Sequence, residues 1–519
     1  MNLISVKILC MPPRITTRII LTALIVLLVA CSPQAPTAAI FTATPPPPAT
    51  DTPPIDVAPA GATETPTAVS TLPPALARPQ YAIVLQLNFT ARAAAVNQTI
   101  VYPNWTGETL NNLVLAVIPN LWSGGFSLKS LAIDGQPVAN YTLQTQRLEI
   151  PLPQPLPPSG TITVSMDYSL ILPSMQAYQN SENDIRPQIY GYSERQVNFV
   201  DWYPFIVPYN PGQGWVLHNP WFYGEHLVYD VADFDVRVTF TDGANPKVAA
   251  SGLEIESQTD VPPGEPVSRR YDLQAARTFA FSMSDHYKVA QQTVGDVTVY
   301  SYYFGLYDLP GEAMLRTTVE ALQLFSERFG PYRHKTLSAV QGDFNDGMEF
   351  SGLYFISRDF FNLYDGTPRN YLVAISAHET AHQWWFDAVT NDQALEPWLD
   401  EALSTYSEVV YYEAIHPESI DWWWNFRYFE FEPGGHVDTA IYDGGGYRPY
   451  LNKVYLFGAR FFQDLRARLG DEIFFAFLRD YYNQSTGKRV TSADFFRVFR
   501  ENTAADITEL LTTYFKNTY

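Results

Sequence analysis

Cysteine is nearly absent from this chain of 519 residues. Its two cysteines, Cys10 and Cys31, lie close to the amino terminus, so the body of the chain has no thiol for a disulfide or for cysteine chemistry. Cations are also scarce, because 33 lysines and arginines face 54 acidic residues and give a net charge of −21 at pH 7. A chain this acidic repels phosphate backbones, so nucleic acid is not expected as a partner.

The apolar stretch from Ile19 to Ala30 is too short for a comfortable membrane span, which takes about twenty residues. It follows three cations, and this order predicts an export signal over residues 1–30. The stretch ends in Leu28-Val29-Ala30-Cys31, which resembles a bacterial lipobox. The resemblance implies cleavage before Cys31 and a lipid anchor there, on the outer side of the cytoplasmic membrane. An uncleaved signal anchor is the alternative.

Residues 31–79 are rich in proline, threonine and alanine, and they include four consecutive prolines at residues 45–48. Such a stretch cannot bury a core and favours extended polyproline conformations. We therefore interpret it as a tether between the lipidated end and the rest of the chain.

Short runs of alternating apolar and polar residues follow the tether, for example at 161–166 and 235–240. A period of two with regular turn residues predicts a β-rich amino-terminal domain of antiparallel strands over residues 80–300. An aromatic stretch lies within it, from Trp202 to Tyr223. These rings form either one wall of a substrate cleft or an aromatic core.

The apolar period then becomes helical, and residues 301–519 are predicted to form a second domain with a helical carboxy-terminal part. Helices are expected over residues 311–329, 371–389 and 453–469, and from Pro397 to about Ile415. Asn370 is the expected cap of the helix at 371–389. Thr491 and Asp494 have the spacing of a capping box, which predicts a further helix start.

The helix at 371–389 carries His378-Glu379-Thr380-Ala381-His382. Residues four apart share one helix face, so the two imidazoles lie side by side and can hold one cation. Eighteen residues separate His382 from Glu401, which supplies a third ligand. Two histidines and one glutamate leave a fourth zinc position free for water, as catalytic sites do, although this set admits other divalent metals. The pattern predicts one Zn²⁺ per chain, with Glu379 beside it as general base.

Three sites together resemble the membrane alanyl aminopeptidase family of zinc metallopeptidases, the gluzincins that include leukotriene hydrolase. The first site is the metal motif in its setting Trp398-Leu399-Asp400-Glu401. Gly347-Met348-Glu349 is similar to the family's Gly-Ala-Met-Glu-Asn motif, and residues 455–459 are similar to its Tyr-x-x-Gly-Ala segment. The resemblance covers roughly residues 80–519. It implies an α+β multidomain fold, in which an antiparallel β-saddle domain precedes a thermolysin-like, mainly helical zinc catalytic domain.

The resemblance also implies roles for individual residues and peptides as substrates. Tyr455 is expected to donate a hydrogen bond to the oxyanion formed during peptide hydrolysis. Gly347, Met348 and Glu349 are expected to bind substrate, with Glu349 pairing with the free α-amine. The leading hypothesis is therefore a zinc-dependent metallopeptidase and, within that class, an aminopeptidase.

Departures from the family pattern keep alternatives open. The exopeptidase motif has Asp346, Gly347 and Phe350 where the family has Gly, Ala and Asn. The family's usual Pro-x-Phe-Asp-x-Pro segment is missing from the β-rich domain. A zinc endopeptidase or a non-peptide hydrolase on the same fold is one alternative, and a non-catalytic, lipid-tethered binding module is another.

Overall fold

The computed structural model describes residues 78–175, 189–344 and 347–519. The predicted signal peptide of residues 1–30, the lipid anchor at Cys31 and all of the predicted tether except residues 78 and 79 lie outside the described residues. Asp346 of the exopeptidase-like motif lies outside them as well. All of the described residues belong to a single structural unit.

Strands dominate the amino-terminal half of the described chain. Their bounds are β1 Gln80–Asn88, β2 Ala93–Pro103, β3 Leu110–Ala116, β4 Phe126–Ile133, β5 Gln136–Pro137, β6 Thr142–Gln144, β7 Arg147–Leu156, β8 Thr161–Ile171, β9 Gly191–Tyr192, β10 Val197–Phe199, β11 Phe205–Ile206, β12 Tyr209–Asn210, β13 Gly214–Trp215, β14 Ala232–Phe240, β15 Lys247–Ala250, β16 Leu253–Gln258, β17 Val267–Ala276, β18 Phe281–Ser284, β19 Tyr287–Val294, β20 Val297–Phe304, β21 Thr336–Gly342, β22 Met348–Phe350 and β23 Leu353–Ser357.

The β-rich half is built on an eight-stranded sheet with the order β16-β17-β14-β1-β2-β8-β4-β5. Alternation turns one face inward, and in β1 every second residue from Tyr81 to Leu87 is buried. Neighbouring strands are antiparallel, as predicted, except that β1 and β14 pair in parallel. The sequence could not predict this exception, because a period of two is the same whichever way a strand runs.

Three smaller sheets complete this half, with the orders β15-β18-β10-β9, β11-β3-β7-β6 and β12-β13. The aromatic stretch divides between two cores. Trp202, Tyr203 and Phe205 are buried in the core of the β-rich half, and Tyr223 packs against Tyr450 in the core of the helical half. For the first three rings the interpretation as a cleft wall is therefore wrong, and they serve as core.

A five-stranded sheet with the order β19-β20-β21-β23-β22 leads into the helical half. It begins at Tyr287, so the domain boundary predicted at residue 300 falls inside β20. Strands β20, β21 and β23 are parallel neighbours. The chain passes from β20 to β21 through a long helix at 308–328, as a parallel pair requires.

Helices form most of the carboxy-terminal half. Their bounds are α1 Asp308–Arg328, α2 Arg358–Leu363, α3 Tyr371–His382, α4 Trp398–Ile415, α5 Ile420–Trp422, α6 Tyr447–Leu451, α7 Gly458–Leu469, α8 Asp471–Ser485, α9 Ser492–Asn502 and α10 Thr508–Tyr514, with π-type turns at Gln383–Ala388, Trp423–Tyr428 and Asn452–Phe457. None of the helices in the described part of the chain combines the length and apolar character needed to cross a membrane.

Helix α3 positions the metal motif. It begins after Asn370, whose side chain accepts a hydrogen bond from the backbone N–H of Leu372, as predicted. Every residue of α3 after Tyr371 is buried, because the helix lies among α1, α4 and the five-stranded sheet. The predicted end of this helix at residue 389 corresponds to the π-type turn that continues it to Ala388.

The other helical predictions also agree with the structure. The helix expected at 311–329 spans 308–328, and α4 covers 398–415. The segment at 453–469 contains a π-type turn followed by α7. Thr491 and Asp494 form the predicted capping box at the start of α9.

Candidate metal centre

Helices α3 and α4 bring the three predicted metal ligands together. Oε2 of Glu401 lies 3.3 Å from Nε2 of His378 and 3.5 Å from Nε2 of His382. The two Nε2 atoms are 3.1 Å apart. All three side chains are buried, and one ligand atom of each lies within 4.8 Å of the other two. Glu401 takes this position because α4 starts at Trp398 and carries it in its first turn.

The outer nitrogen of each imidazole has a partner on α4. Nδ1 of His378 lies 3.0 Å from Oε1 of Glu408, and Nδ1 of His382 lies 3.2 Å from Oγ of Ser404. A carboxylate only accepts hydrogen bonds, so Nδ1 of His378 is the donor. When the ring is neutral, its Nε2 lone pair therefore points at Glu401, the orientation that a metal-ligating histidine takes.

The donor set of the centre fits Zn²⁺. Two Nε2 atoms at 3.1 Å beside a carboxylate oxygen must share either a proton or a cation. Two imidazoles and one carboxylate are also the ligand set of many catalytic zinc sites. His378, His382 and Glu401 are therefore suited to hold the predicted ion.

The charges around the centre attract positive charge to this point. Burial lowers the pKa of His378, but Glu401 and Glu408 raise it to about 10. Burial raises the pKa of Glu401, but His382 and His378 lower it below its ordinary value. A divalent cation satisfies this demand as well as a proton does.

Glu379 lies on α3 next to His378 and is buried. One of its carboxylate oxygens lies within 4.8 Å of the ligand atoms of His382 and Glu349. Gly347 leaves the space for this carboxylate, because a Cβ atom at residue 347 would lie 2.2 Å from Oε1 of Glu379. Glycine at residue 347, where the family has alanine, thus leaves room for the carboxylate of the predicted general base Glu379.

Strand β22 carries the other predicted substrate-binding residues. Glu349 is buried, and its Oε1 accepts a hydrogen bond of 3.0 Å from Nε2 of Gln393. Met348 is also buried and packs in the core of the β-rich half. The structure therefore places the Glu349 carboxylate beside the metal ligands, with Met348 in the adjoining core.

Tyr455 lies in the π-type turn that precedes α7, and its ring is parallel to the imidazole of His378. The ring centroids are 6.1 Å apart and the interplanar angle is 7°. Burial raises the pKa of Tyr455 well above its ordinary value, and Glu401 adds to the rise, so the phenol keeps its proton. Gly458 allows the segment that carries Tyr455 to pack closely against α4, because a Cβ atom at residue 458 would lie 2.4 Å from Cβ of Ala402.

Two residues on α4 that contact the imidazoles were not predicted, although their spacing contains a signal. Ser404 and Glu408 follow Glu401 by three and seven residues, which places them on the same helix face. A search of that face for partners of the two histidines would have found both.

Gln393 and Glu225 also lie near the centre, and no sequence pattern marks them. Gln393 lies in the segment between α3 and α4, and Glu225 lies in the segment before β14. Burial raises the pKa of Asp400 well above its ordinary value, with further rises from Glu401, Glu349 and Glu225. Because the charge of Glu225 acts on Asp400 together with the charges of Glu401 and Glu349, Glu225 belongs to the same cluster of carboxylates.

Comparison with known proteins agrees with this geometry. The family model described as "Peptidase family M1 domain" matches residues 313–444, which include all three ligands. Aminopeptidase M1-B of Oryza sativa subsp. japonica is 29% identical over 234 residues, 40% of this chain and 25% of the relative. Aminopeptidase N of Lactococcus lactis subsp. cremoris (strain MG1363) is 32% identical over 129 residues, 22% of this chain and 15% of the relative. The chain thus spans about a quarter or less of these curated relatives.

Solved structures share the fold over most of the chain. The M1 zinc metallopeptidase of Deinococcus radiodurans has a TM-score of 0.60 at 19% identity, covering 85% of this chain and 95% of that one. A mutant of a two-domain M1 zinc metallopeptidase bound to L-tryptophan has a TM-score of 0.62 at 20% identity, with coverage of 85% and 96%. The predicted fold class, a β-rich amino-terminal domain followed by a helical one, is confirmed. The match to the peptidase family M1 domain over residues 313–444 and the assembled ligand set support the alanyl aminopeptidase family that the motifs resemble.

Proposed function

We propose that the chain is a zinc-dependent metallopeptidase and, within that class, an aminopeptidase that removes amino-terminal residues from peptides. One observation carries the proposal. Ligand atoms of Glu349, Glu379 and His382 lie within 4.8 Å of one another, so a buried carboxylate stands beside both the predicted general base and a metal ligand. A substrate whose ammonium pairs with Glu349 has its first peptide bond next to Glu379.

The chain's own residues divide the chemistry. His378, His382 and Glu401 would hold one Zn²⁺, which supplies Lewis acidity towards a carbonyl oxygen and lowers the pKa of a water molecule. Glu379 accepts a proton from the attacking water and delivers it to the leaving amine. Tyr455 keeps its phenolic proton and donates a hydrogen bond to the oxyanion.

Glu349 determines which bond is cut. A buried carboxylate favours a charged partner over a blocked, neutral amino terminus, because unpaired burial of its charge is costly. Its hydrogen bond from Gln393 holds one oxygen in place and leaves the other for the substrate's ammonium. The proposal therefore explains why a hydrolytic centre of this kind releases single residues.

Replacing Glu349 tests the proposal. For Glu349→Gln, kcat/KM towards aminoacyl amides is expected to fall on the order of 100-fold, since a hydrogen bond to a charged group contributes about 1.5–3 kcal/mol. Zinc content, measured by atomic absorption, should not change. Glu413→Gln is a matched control, because Glu413 pairs with Arg466 at the far end of α4.

The products of a peptide library separate the alternatives. Cleavage confined to the first bond of unblocked peptides supports the aminopeptidase. Cleavage within amino-terminally acetylated peptides would establish an endopeptidase, and full activity of Glu349→Gln on aminoacyl amides would remove this residue from amine recognition. Zinc binding without hydrolysis of any peptide would favour a non-peptide hydrolase or a binding module.

We also propose that the protein is exported and anchored by lipid at Cys31. The proposal is supported by the charged and apolar order of residues 7–30 and by the Leu28-Val29-Ala30-Cys31 sequence. Metabolic labelling with a radioactive fatty acid is expected to mark the wild-type chain and not Cys31→Ala. Labelling of both, or of neither, would contradict the anchor.

A further inference from the structure

Next to the metal centre, both oxygens of the Glu408 carboxylate have more than one partner. It has no exposed surface. Its Oε1 lies 3.0 Å from Nδ1 of His378 and accepts a hydrogen bond of 2.9 Å from Arg427. Its Oε2 accepts one of 2.8 Å from Nε1 of Trp423 and a second of 3.1 Å from Nε of Arg427. Four donors therefore converge on one carboxylate, and only one of them belongs to a predicted ligand.

We propose that Arg427 and Trp423 are positioning residues that fix Glu408 against His378 and thereby set how tightly the chain holds its metal. The inference rests on the proposed function in one respect, namely that His378 is a zinc ligand. It goes further by assigning a part in metal retention to the π-type turn at Trp423–Tyr428, which contributes no ligand.

The geometry of Arg427 fits this part. Its guanidinium contacts both oxygens of Glu408 through two different nitrogens, an arrangement that fixes the orientation of the carboxylate as well as its position. The guanidinium carbon also lies 5.8 Å from the ring centroid of Tyr371, the first residue of α3. Arg427 therefore contacts both α3 and α4, the two helices that carry the metal ligands, although it lies on neither of them.

The charge balance of the buried centre points the same way. Several buried carboxylates surround the centre, namely Glu349, Glu379, Glu401 and Glu408. Arg427 offsets the charge of Glu408 through an ion pair at 2.9 Å. Without Arg427 the buried Glu408 carboxylate would lose its ion pair and the contacts that fix its direction, so the orientation that it gives His378 through Nδ1 would weaken.

Trp423 completes the enclosure of Glu408. Its ring is fully buried, and its Nε1 donates to the oxygen that does not contact His378. Removal of this donor frees one side of the carboxylate and leaves the arginine in place. Trp423→Phe is thus a milder version of the same change, and it preserves most of the buried aromatic surface.

Zinc affinity of the full chain tests the proposal directly. The wild type, Arg427→Met, Arg427→Lys and Trp423→Phe are titrated with Zn²⁺ in competition with a chromophoric chelator. Replacement of an outer partner of a metal ligand typically weakens metal binding 10–100-fold, and this is the loss expected for Arg427→Met. Arg427→Lys keeps the charge and loses the two-nitrogen contact, so its affinity is expected to lie between the two. Arg460→Met is the matched control, because Arg460 pairs with Asp464 and lies over the ring of Trp424 without contacting Glu408.

The visible absorption spectrum of the Co²⁺-loaded protein distinguishes a misoriented His378 from a general loss of structure. Co²⁺-loaded Arg427→Met is expected to show altered visible absorption bands, because the imidazole of His378 is reoriented, while its circular dichroism matches the wild type. Where Arg427→Met does not fold, a several-fold weaker Zn²⁺ affinity of Trp423→Phe supports the proposal.

Two results would overturn the proposal. One is a folded Arg427→Met that binds Zn²⁺ with wild-type affinity and has an unchanged Co²⁺ spectrum. If Arg427→Met does not fold, wild-type Zn²⁺ affinity of Trp423→Phe would overturn the proposal instead. The other is a wild-type chain that binds no Zn²⁺, which would refute the proposed function itself and is distinguishable from the first result.

Discussion

At the scale of single residues, Tyr455 is the clearest case of a side chain whose part can be tested without disturbing the metal. Tyr455→Phe keeps the ring that lies parallel to His378 and removes only the hydroxyl. Removal of one oxyanion donor typically lowers turnover by a factor of about 10²–10³, so kcat should fall by that amount while the zinc content stays at one per chain. Steady-state kinetics with an aminoacyl amide measures the change.

The matched control for this substitution is Tyr514→Phe. Tyr514 also uses its hydroxyl, donating to Asp464, but it lies on α10 and has no contact with the imidazoles. Its kcat is expected to stay within twofold of the wild type. Wild-type turnover of Tyr455→Phe would remove Tyr455 from the reaction.

Gln393 is a second residue whose part follows from one contact. Its Nε2 donates to Oε1 of Glu349, and both side chains are buried. Gln393→Leu leaves Glu349 without this donor, so KM for unblocked aminoacyl amides is expected to rise about tenfold, with a smaller change in kcat. Gln484→Leu on the surface of α8 is the control, and an unchanged KM for Gln393→Leu would show that Glu349 needs no such support.

The sequence identified those residues whose spacing repeats a rule of helix geometry. His378, His382 and Glu401 were predicted because four residues make one helical turn and because two histidines and a glutamate suit zinc. Gln393 could not be predicted, because it reaches Glu349 over 44 residues and no local pattern relates the two. Arg427 was missed for the same reason, since its partner Glu408 lies on another element.

At the scale of elements, the distance between α4 and the start of α7 determines where Tyr455 stands. Gly458 packs so closely on α4 that an added Cβ atom would lie 2.4 Å from Cβ of Ala402. Gly458→Ala should therefore separate the two helices, lower the free energy of unfolding by about 1–3 kcal/mol and reduce kcat through displacement of Tyr455. Thermal unfolding and steady-state kinetics report the two effects.

The double variant Gly458→Ala, Ala402→Gly is the matching control. It exchanges the two small residues across the contact and restores the space, so kcat is expected to recover further than the stability, because glycine within α4 costs about 1 kcal/mol. Equal kcat values for the single variant and the wild type would show that the helix contact does not position Tyr455.

Most helices could be predicted because a period of 3.6 and the caps at Asn370 and Thr491 are local signals. The π-type turns could not, since each widens a helix in response to packing that only the folded chain provides. The turns at Trp423–Tyr428 and Asn452–Phe457 carry Arg427 and Tyr455, so the elements that the sequence predicts least well are those that complete the site.

At the scale of the whole molecule, the order of a β-rich half and a helical half followed from the change of apolar period, but the contact between them did not. The β-rich core and the five-stranded sheet share buried residues such as Phe355 and Phe350, and the period of a strand does not reveal its partner. The parallel pairing of β1 with β14 belongs to the same class of long-range choices.

Arg277 is where the two halves are joined by a buried charge. It follows β17 directly, and its guanidinium donates to the carbonyls of Asp387 at 3.1 Å, Ala388 at 3.3 Å and Lys488 at 3.1 Å. The first two carbonyls end the turn that follows the metal helix, and the third lies between α8 and α9. A strand of the β-rich half thereby holds two separate parts of the helical half.

Arg277→Met is expected to destabilise the whole chain without loosening the metal. The carbonyl of Asp387 loses its side-chain donor, whereas those of Ala388 and Lys488 keep backbone donors from Gly487 and Thr390. An unsatisfied buried group costs about 1–3 kcal/mol, so the free energy of unfolding should fall by about that amount. Zn²⁺ affinity should stay as in the wild type, because Arg277 contacts neither the ligands nor Glu408. This is the opposite of the result expected for Arg427→Met, although both variants remove a guanidinium, which is buried in Arg277 and 14% exposed in Arg427. Arg237→Met is the control, since its exposed pair with Glu256 contributes about 0–1 kcal/mol. Denaturant unfolding and zinc titration of the same samples measure the two effects. If Arg277→Met lowers Zn²⁺ affinity as much as Arg427→Met does, the loss of any arginine from the interior weakens metal binding. The contact between Arg427 and Glu408 would then not be what sets the affinity.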